Sequence, residues 1–328
     1  MNEPRRPIGV VPVDQLAIER AGDLIRSGGL VAFPTETVYG LGADATQGRS
    51  VARIFAVKGR PAINPLIVHV PGLAEADRHA VIDARAEELA ALFWPGPLTL
   101  VLNKRPESAV ADLVSAGLDS IAIRAPSHPV ARALLDAADR PVAAPSANRS
   151  GRISATAAIH VAEEFGDTVD MILAGGRTAL GLESTILDLT GERPVLLRPG
   201  AVTEADIAGV IGPILTGAGQ PDRPNAPGQL KRHYAPATPL RLMANAPRSG
   251  EALLAFGPPP LGSGAARILN LSETGDLAEA AANLFAMLRI LDSGGYSCIA
   301  VMPIPCTGLG VAINDRLSRG AAPAGEVN

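Results

Sequence analysis

Between about residues 213 and 238 the chain carries Pro221, Pro224, Pro227 and Pro236, with Pro239 just beyond, interspersed with Gly217, Gly219 and Gly228. Proline lacks the amide donor that helix and sheet interiors need, and glycine is the residue most costly to order. Such a density therefore reads as a connector, not as a regular element. The break divides 328 residues into 1–212 and 239–328, joined by a 213–238 linker. Both flanking pieces fall within the size range of a domain.

On the N-terminal side, short apolar runs alternate with segments of helical period. Asp14 predicts a capped helix near 15–27 that Gly28 and Gly29 end, and Ser50 predicts a cap for a short helix reaching Val57. Further helices are expected at 82–92, 128–138, 156–165 and 203–211. Strands are expected at 30–33, 66–70, 98–102, 120–124, 141–144, 170–173 and 185–189. Continuous and alternating apolar runs together predict an α/β fold with a mixed sheet covered by helices. Beyond the linker, strands near 240–243, 252–256 and 298–302 and a helix near 276–291 predict a second, smaller α/β domain.

Hydrophobic residues make up 47% and charged residues 19%, a globular composition. No apolar run approaches the roughly 18 residues of a membrane span, and MNEPRRPIGV has no signal-like apolar core. Cys298 and Cys306 are too few for a disulfide framework or a four-ligand zinc site. The expectation is a soluble protein of a reducing, cytoplasmic compartment. Aromatic residues at 3% argue against a stacking platform for single-stranded nucleic acid, and a net charge of −4 argues against a general polyanion binder.

The positions of the charges say more than their sum. Residues 45–74, 140–162 and 223–250 hold Arg49, Arg53, Lys58, Arg60, Arg140, Arg149, Arg152, Arg223, Lys231, Arg232, Arg241 and Arg248 without one carboxylate. If these stretches meet, they make a positive cavity on an acidic protein, suited to a nucleoside triphosphate. If they do not, they are three solvated basic surfaces.

Several motifs fail on context. Gly40-Leu41-Gly42-Ala43-Asp44-Ala45 matches G-x-G-x-x-A, but no acid follows where a ribose would need one. There is no phosphate-cradling G-x-x-x-x-G-K-[ST], no H-E-x-x-H and no G-x-S-x-G. Five pieces remain: Phe33-Pro34-Thr35-Glu36-Thr37-Val38-Tyr39-Gly40-Leu41; Lys58-Gly59-Arg60-Pro61 with Asn64 and His69; Ile121-Ala122-Ile123-Arg124; Pro145-Ser146-Ala147-Asn148-Arg149-Ser150-Gly151; and Glu183-Ser184-Thr185-Ile186 followed by Arg198-Pro199-Gly200. Strand ends followed by polar loops are where α/β sheets place ligands.

That ordered set, with Phe93-Trp94-Pro95-Gly96-Pro97-Leu98-Thr99 between, resembles the YrdC-like family. With the linker from Ala226 through His233-Tyr234 and the extra C-terminal part, it resembles the two-domain threonylcarbamoyl-AMP synthases, from whose linker pattern Ala226 and Gln229 depart. The resemblance implies a YrdC-like twisted mixed sheet flanked by helices, plus a Rossmann-like C-terminal domain. It also implies a nucleotidyltransferase that makes threonylcarbamoyl-AMP from L-threonine, bicarbonate or CO2, and ATP, and releases pyrophosphate. The product would pass to a transfer machinery that modifies tRNA adenosine next to the anticodon.

By the same resemblance, Lys58, Arg60, Ser146 and Asn148 carry the catalysis and grip phosphate. Arg198 and Tyr234 contact ATP, with Asn64, Ser120 and Ser154 on the same side. Thr35, His69, Arg124 and Ser184 hold threonine, and Mg2+ arrives with ATP. The guanidinium fork of Arg124 suits a carboxylate, although a structural ion pair would use it equally well. His69 could equally be a core histidine. A basic His-Tyr segment between two domains suggests a lid over the nucleotide. RNA binding without chemistry, carbamoyl transfer from carbamoyl phosphate and dinucleotide-dependent redox chemistry are the competing readings. The cysteine pairs and acylphosphatase module that accompany carbamoyl transfer are lacking.

Overall fold

The computed structural model describes residues 9–217, 226–227, 232–260 and 264–323. The chain begins with β1 (Val10–Pro12), α1 (Gln15–Arg26), β2 (Val31–Phe33), β3 (Gly40–Asp44), α2 (Gly48–Lys58), β4 (Ile67–His69) and α3 (Leu73–Ala76). It continues through α4 (Ala84–Phe93), β5 (Leu98–Asn103), β6 (Ser120–Arg124), α5 (Pro129–Ala138), β7 (Val142–Ala143) and α6 (Ala158–Phe165). Next come β8 (Met171–Ala174), β9 (Thr185–Asp188), β10 (Val195–Arg198), α7 (Glu204–Ile211) and β11 (Leu215–Thr216). A second unit holds β12 (Leu240–Arg241), β13 (Ala252–Ala255), β14 (Ile268–Asn270), α8 (Leu277–Asp292), β15 (Ile299–Val301) and α9 (Leu309–Ala321).

Helix starts follow side-chain chemistry. The Asp14 carboxylate accepts from the Ala17 amide at 2.7 Å, Thr203 and Asp206 form a reciprocal capping box, and Asp276 accepts from two first-turn amides of α8. The Ser50 cap is a correction: α2 begins three residues earlier behind Gln47, and Ser50 lies inside the first turn, donating to the Gln47 side chain.

The first unit is one mixed sheet in the order β1-β8-β2-β3-β7-β4-β6-β5-β9-β10-β11. Its central strands are buried on both faces, which explains their unbroken apolar runs. One face packs against α1 and α5 through Ile18, Ile25, Leu134 and Leu135; the other holds the larger core around Leu41, Ile54, Leu100 and Ile123. The second unit is a four-stranded parallel sheet, β12-β15-β13-β14, with α8 and α9 packed together over it.

Three departures from the sequence pattern matter. Gly40–Asp44, inside the rejected dinucleotide match, is a central strand, and a Cβ on Gly42 would stand 2.8 Å from Phe33 and 2.9 Å from Val142. The expected connector contributes β11 to the first sheet, and Ala235 bridges to Arg152. Within that connector, 218–225 and 228–231 lie outside the described residues, and so do Arg223 and Lys231. The helix α9 was absent from the expected elements altogether.

Gly200, just after β10, lies against the opening of β9: a Cβ there would stand 2.4 Å from the Thr185 amide nitrogen and 2.8 Å from the Glu183 carbonyl oxygen. Backbone cannot yield as a flexible side chain does. In urea unfolding, Gly200→Ala is expected to cost about 1–3 kcal/mol. The exposed-turn control Gly191→Ala, whose added Cβ meets nothing closer than 4.0 Å, should stay within about 0.5 kcal/mol of the parent.

Candidate active site

Three of the five sequence pieces are stitched together by backbone. The Leu41 amide donates to the Pro145 carbonyl at 2.8 Å, the Ala147 amide to the Tyr39 carbonyl at 2.7 Å, and the Ser150 amide to the Lys58 carbonyl at 2.8 Å. The first two acid-free stretches therefore meet. Lys58 ends α2 and is 3% exposed, so it is not a solvated helix terminus. Its ammonium donates to the Ser146 carbonyl at 2.6 Å and to the Asn148 carbonyl. Two of its three protons are thereby used, which leaves one for a further acceptor.

Arg60 is anchored in its own loop, donating to the carbonyls of Asn64 at 3.0 Å and Pro65 at 2.7 Å and to Asn64 Oδ1 at 2.6 Å. Burial and the neighbouring Arg60 charge push Lys58 well below its ordinary value; Arg60 is held down to about 9, chiefly by burial.

Arg124, at the end of β6, donates to the Gly96 carbonyl at 3.1 Å and Thr37 Oγ1 at 2.9 Å, and pairs with Glu36 at 2.6 Å. The ion-pair reading of Arg124 is thus realised, while the residue still faces the hollow. Burial works against charge on Glu36, but the Arg124 charge and hydrogen bond outweigh it and hold the carboxyl below its usual range. His69 lies beside Arg124 across the β4–β6 pairing and edge-on to Phe33 at 6.1 Å. Thr35 Oγ1 is engaged with Thr37 Oγ1 and the Val38 carbonyl, both at 2.7 Å, which tightens the turn between β2 and β3.

On the far side, Arg198 donates to the Ser184 carbonyl and hydroxyl, both at 3.0 Å, and Ser184 shares a 2.7 Å hydrogen bond with Thr99. Glu183 accepts from the Ser154 hydroxyl through one oxygen and pairs with Arg316 of α9 through the other at 2.9 Å. From the linker, Tyr234 sits 4.0 Å from the His233 ring, 5.7 Å from Phe285 and 5.2 Å from the Arg316 guanidinium. Tyr234 takes a left-handed backbone with φ of 58°, an arrangement costing on the order of 1 kcal/mol that its packing must offset.

Thr35, Arg60, His69, Arg124, Ser146, Ser184, Arg198 and Tyr234 line one common hollow. Lys58, Asn64, Asn148 and Ser154 stand directly behind it through the contacts above. Ser120 is not brought in: it lies at the other end of β6, paired across to Asn103, about 13 Å along the strand from Arg124. Five buried atoms around the hollow have no hydrogen-bond partner among the described residues: Asn64 Nδ2, His69 Nδ1, Asn148 Oδ1, His233 Nδ1 and the Tyr234 hydroxyl. Native proteins leave few such atoms, and a cluster of them marks a ligand surface. The free space is about 40 Å³ because Pro227, His233 and Tyr234 close over it. A larger cleft of about 710 Å³ runs between α7 and the start of α9, but its walls are mostly apolar.

Sequence reasoning assigned no role to Glu36, Thr37, Glu183 or Arg316. The first three stood inside quoted motifs, and an acid within an otherwise acid-poor motif was the signal for Glu36 and Glu183. Nothing local marks Arg316.

All five histidines titrate below their ordinary value, chiefly because burial disfavours charge; His160 is held to about 4 and His69 to about 3. The unfolded chain therefore takes up protons near pH 6.5 while the folded chain does not, so stability falls as pH drops below 6.5. At pH 5, His69 alone should contribute a loss of roughly 2 kcal/mol. Urea midpoints measured between pH 7 and 5 should decline steadily, and a flat profile would contradict these burial effects.

Comparison with known proteins agrees with this geometry. A family model described as "Telomere recombination" matches residues 23–200, and one described as "Threonylcarbamoyl-AMP synthase, C-terminal domain" matches residues 202–322. The chain is 42% identical to a threonylcarbamoyl-AMP synthase of Pyrococcus abyssi, covering 94% of each chain. It is 40% identical to one of Bacillus subtilis, covering 93% of this chain and 92% of the relative. The crystal structure of P. abyssi Sua5 complexed with L-threonine superposes with a TM-score of 0.89 at 40% identity, over 95% of this chain and 97% of that one. A mixed sheet bearing a buried cationic hollow, closed by a linker and backed by a parallel α/β unit, thus goes with full-length likeness in sequence and fold: the chain belongs to the two-domain threonylcarbamoyl-AMP synthase family.

Proposed function

We propose that this chain joins L-threonine, bicarbonate or CO2, and ATP into threonylcarbamoyl-AMP, acting as a nucleotidyltransferase that releases pyrophosphate. The observation that carries the reading is the convergence of Arg60, Arg124 and Arg198, all buried, on one hollow, with buried Lys58 directly behind it. The chemistry brings together a carboxylate, a carbamate and a triphosphate, which repel one another. A site that gathers and screens them lowers the barrier through position and field, without a dedicated base.

Arg124 takes the threonine carboxylate, with Thr35, His69 and Ser184 around the amino acid. That threonine is a ligand is supported by the L-threonine complex of the P. abyssi relative; the assignment of these residues to it is part of the proposal. His69, held neutral down to about pH 3, offers a hydrogen bond and stores no proton at neutral pH. The threonine amine adds to the carbon of CO2 and releases a proton to solvent, or adds to bicarbonate and expels water; either route leaves the carbamate. A carbamate oxygen then attacks the α-phosphorus, and the bond to the β-phosphate breaks as pyrophosphate leaves. Lys58, Arg60 and Arg198 screen the phosphates, and Ser146 donates a hydrogen bond. Asn148 holds its loop through the Arg149 and Arg152 carbonyls and turns an accepting oxygen to the site. Asn64, Ser154 and Tyr234 complete the nucleotide side. Mg2+ enters as the ATP complex, since Glu36 and Glu183 beside the hollow are both paired with arginines.

Ligand pockets of this class occupy about 300–1,000 Å³. Pro227, His233 and Tyr234 therefore part to admit ATP and Tyr234 closes back against the bound nucleotide, so in this reading these residues act as a lid. The product then feeds a transfer machinery acting on tRNA.

The test is threonine- and bicarbonate-dependent pyrophosphate release from ATP. Lys58→Ala and Arg60→Ala should each reduce kcat/KM about 100-fold or more, whereas Arg124→Ala should act mainly by raising the KM for threonine, about tenfold or more. Pyrophosphate release by the parent protein that is indifferent to threonine and bicarbonate would exclude the reading.

A further inference from the structure

Arg316 is the largest side chain in the protein that is fully buried among the described residues, and it comes from the far end of the chain, on the last helix. A buried guanidinium is tolerated only where its donors are met. Here Nε meets Glu183 Oε2 at 2.9 Å, Nη1 meets Asp315 Oδ2 at 2.7 Å, and the plane faces the Tyr234 ring at 5.2 Å. The neighbouring turn of the same helix accepts the His233 amide at the Arg319 carbonyl, 3.3 Å away. Glu183 in turn receives the Ser154 hydroxyl, and the adjacent Ser184 receives Arg198. One arginine of the C-terminal unit therefore touches two borders of the hollow: Glu183, at the start of the Glu183-Ser184 loop, and the linker tyrosine.

We propose that Arg316 is a positioning residue for the nucleotide half of the site, neutralising Glu183 so that Arg60 and Arg198 stay available to phosphate and seating the Tyr234 ring. The inference rests on the synthase reading above and deepens it. Other contacts across the same interface do not have this reach. Arg289 joins the units by donating to the Ile153 carbonyl at 2.5 Å and pairing with Glu164 at 3.0 Å, away from the linker tyrosine.

Charge gives the two halves of the Arg316–Glu183 pair opposite signs. Without Arg316, Glu183 is a buried anion beside the phosphate cations: it repels the triphosphate and draws Arg198 to itself. Without the Glu183 charge, the hollow gains positive potential and should hold ATP at least as well. A contact that merely glues two units together would show no such asymmetry.

The experiment measures equilibrium affinities for MgATP and for threonine on full-length protein, alongside thermal unfolding and pyrophosphate release. Arg316→Met should weaken MgATP about tenfold or more, the size of a lost buried coupling, with threonine affinity changed less than about twofold. Glu183→Gln should leave MgATP affinity equal or tighter, and the double variant should return to within about threefold of the parent. Arg316→Lys keeps the charge but loses the fork, and should fall between parent and Met. It serves as the test if the Met variant does not fold. An unchanged MgATP affinity in a folded Arg316 variant, or an equal loss in Glu183→Gln, overturns the inference. A parent protein that binds no MgATP overturns the synthase reading instead.

Discussion

Five cations, Lys58, Arg60, Arg124, Arg198 and Arg316, are buried around or directly behind one hollow, and the buried carboxylates beside it are Glu36 and Glu183. So much desolvated positive charge is expensive unless its donors are satisfied. Much of the satisfaction comes from backbone carbonyls and not from acids: Ser146 and Asn148 for Lys58, Asn64 and Pro65 for Arg60, Gly96 for Arg124 and Ser184 for Arg198. A carbonyl dipole holds a cation in place without cancelling its charge. The charge is therefore fixed in geometry but left over in sign, which is the condition for gathering anions.

The fold supplies those carbonyls at the right places. β6 carries Arg124 beside His69 of β4, α2 delivers Lys58 to the 146–148 loop, and β10 aims Arg198 back at the loop that opens β9. Among the described residues the second unit contributes no cation to the lining of the hollow, yet its α8 and α9 supply Phe285 and Arg316 against Tyr234. Substrate chemistry lies in one unit and closure in the other, with the linker as the shared part.

Much of this was legible in the sequence, for identifiable reasons. The strongly periodic helices α1, α5 and α8 come out within one residue at each end because their apolar faces and caps agree. The absence of acids drew attention to Lys58, Arg60 and the 144–151 loop but left open whether they meet; their roles were readable only through the family resemblance. β3 was not, because its glycines look like a turn; they are there because Phe33 and Val142 leave no room for side chains. Ser50 mimics a cap that Gln47 pre-empts. Ser120 heads the strand that ends in Arg124, and one-dimensional adjacency hid the length of β6. Arg316 was the hardest to see: an arginine on an amphipathic helix is normally solvated, and only the tertiary meeting with Glu183 turns it inward.

Burial and the neighbouring Arg60 charge lower the proton affinity of Lys58, and a bound polyanion works against both effects. Calorimetric titration of MgATP at pH 9, in buffers of different ionisation enthalpy, counts the protons exchanged on binding. The account predicts net proton uptake by the parent, reduced in Lys58→Met, because phosphate raises the affinity of the buried amine for its proton. Binding with no proton uptake, or with uptake unaltered in Lys58→Met, would contradict it.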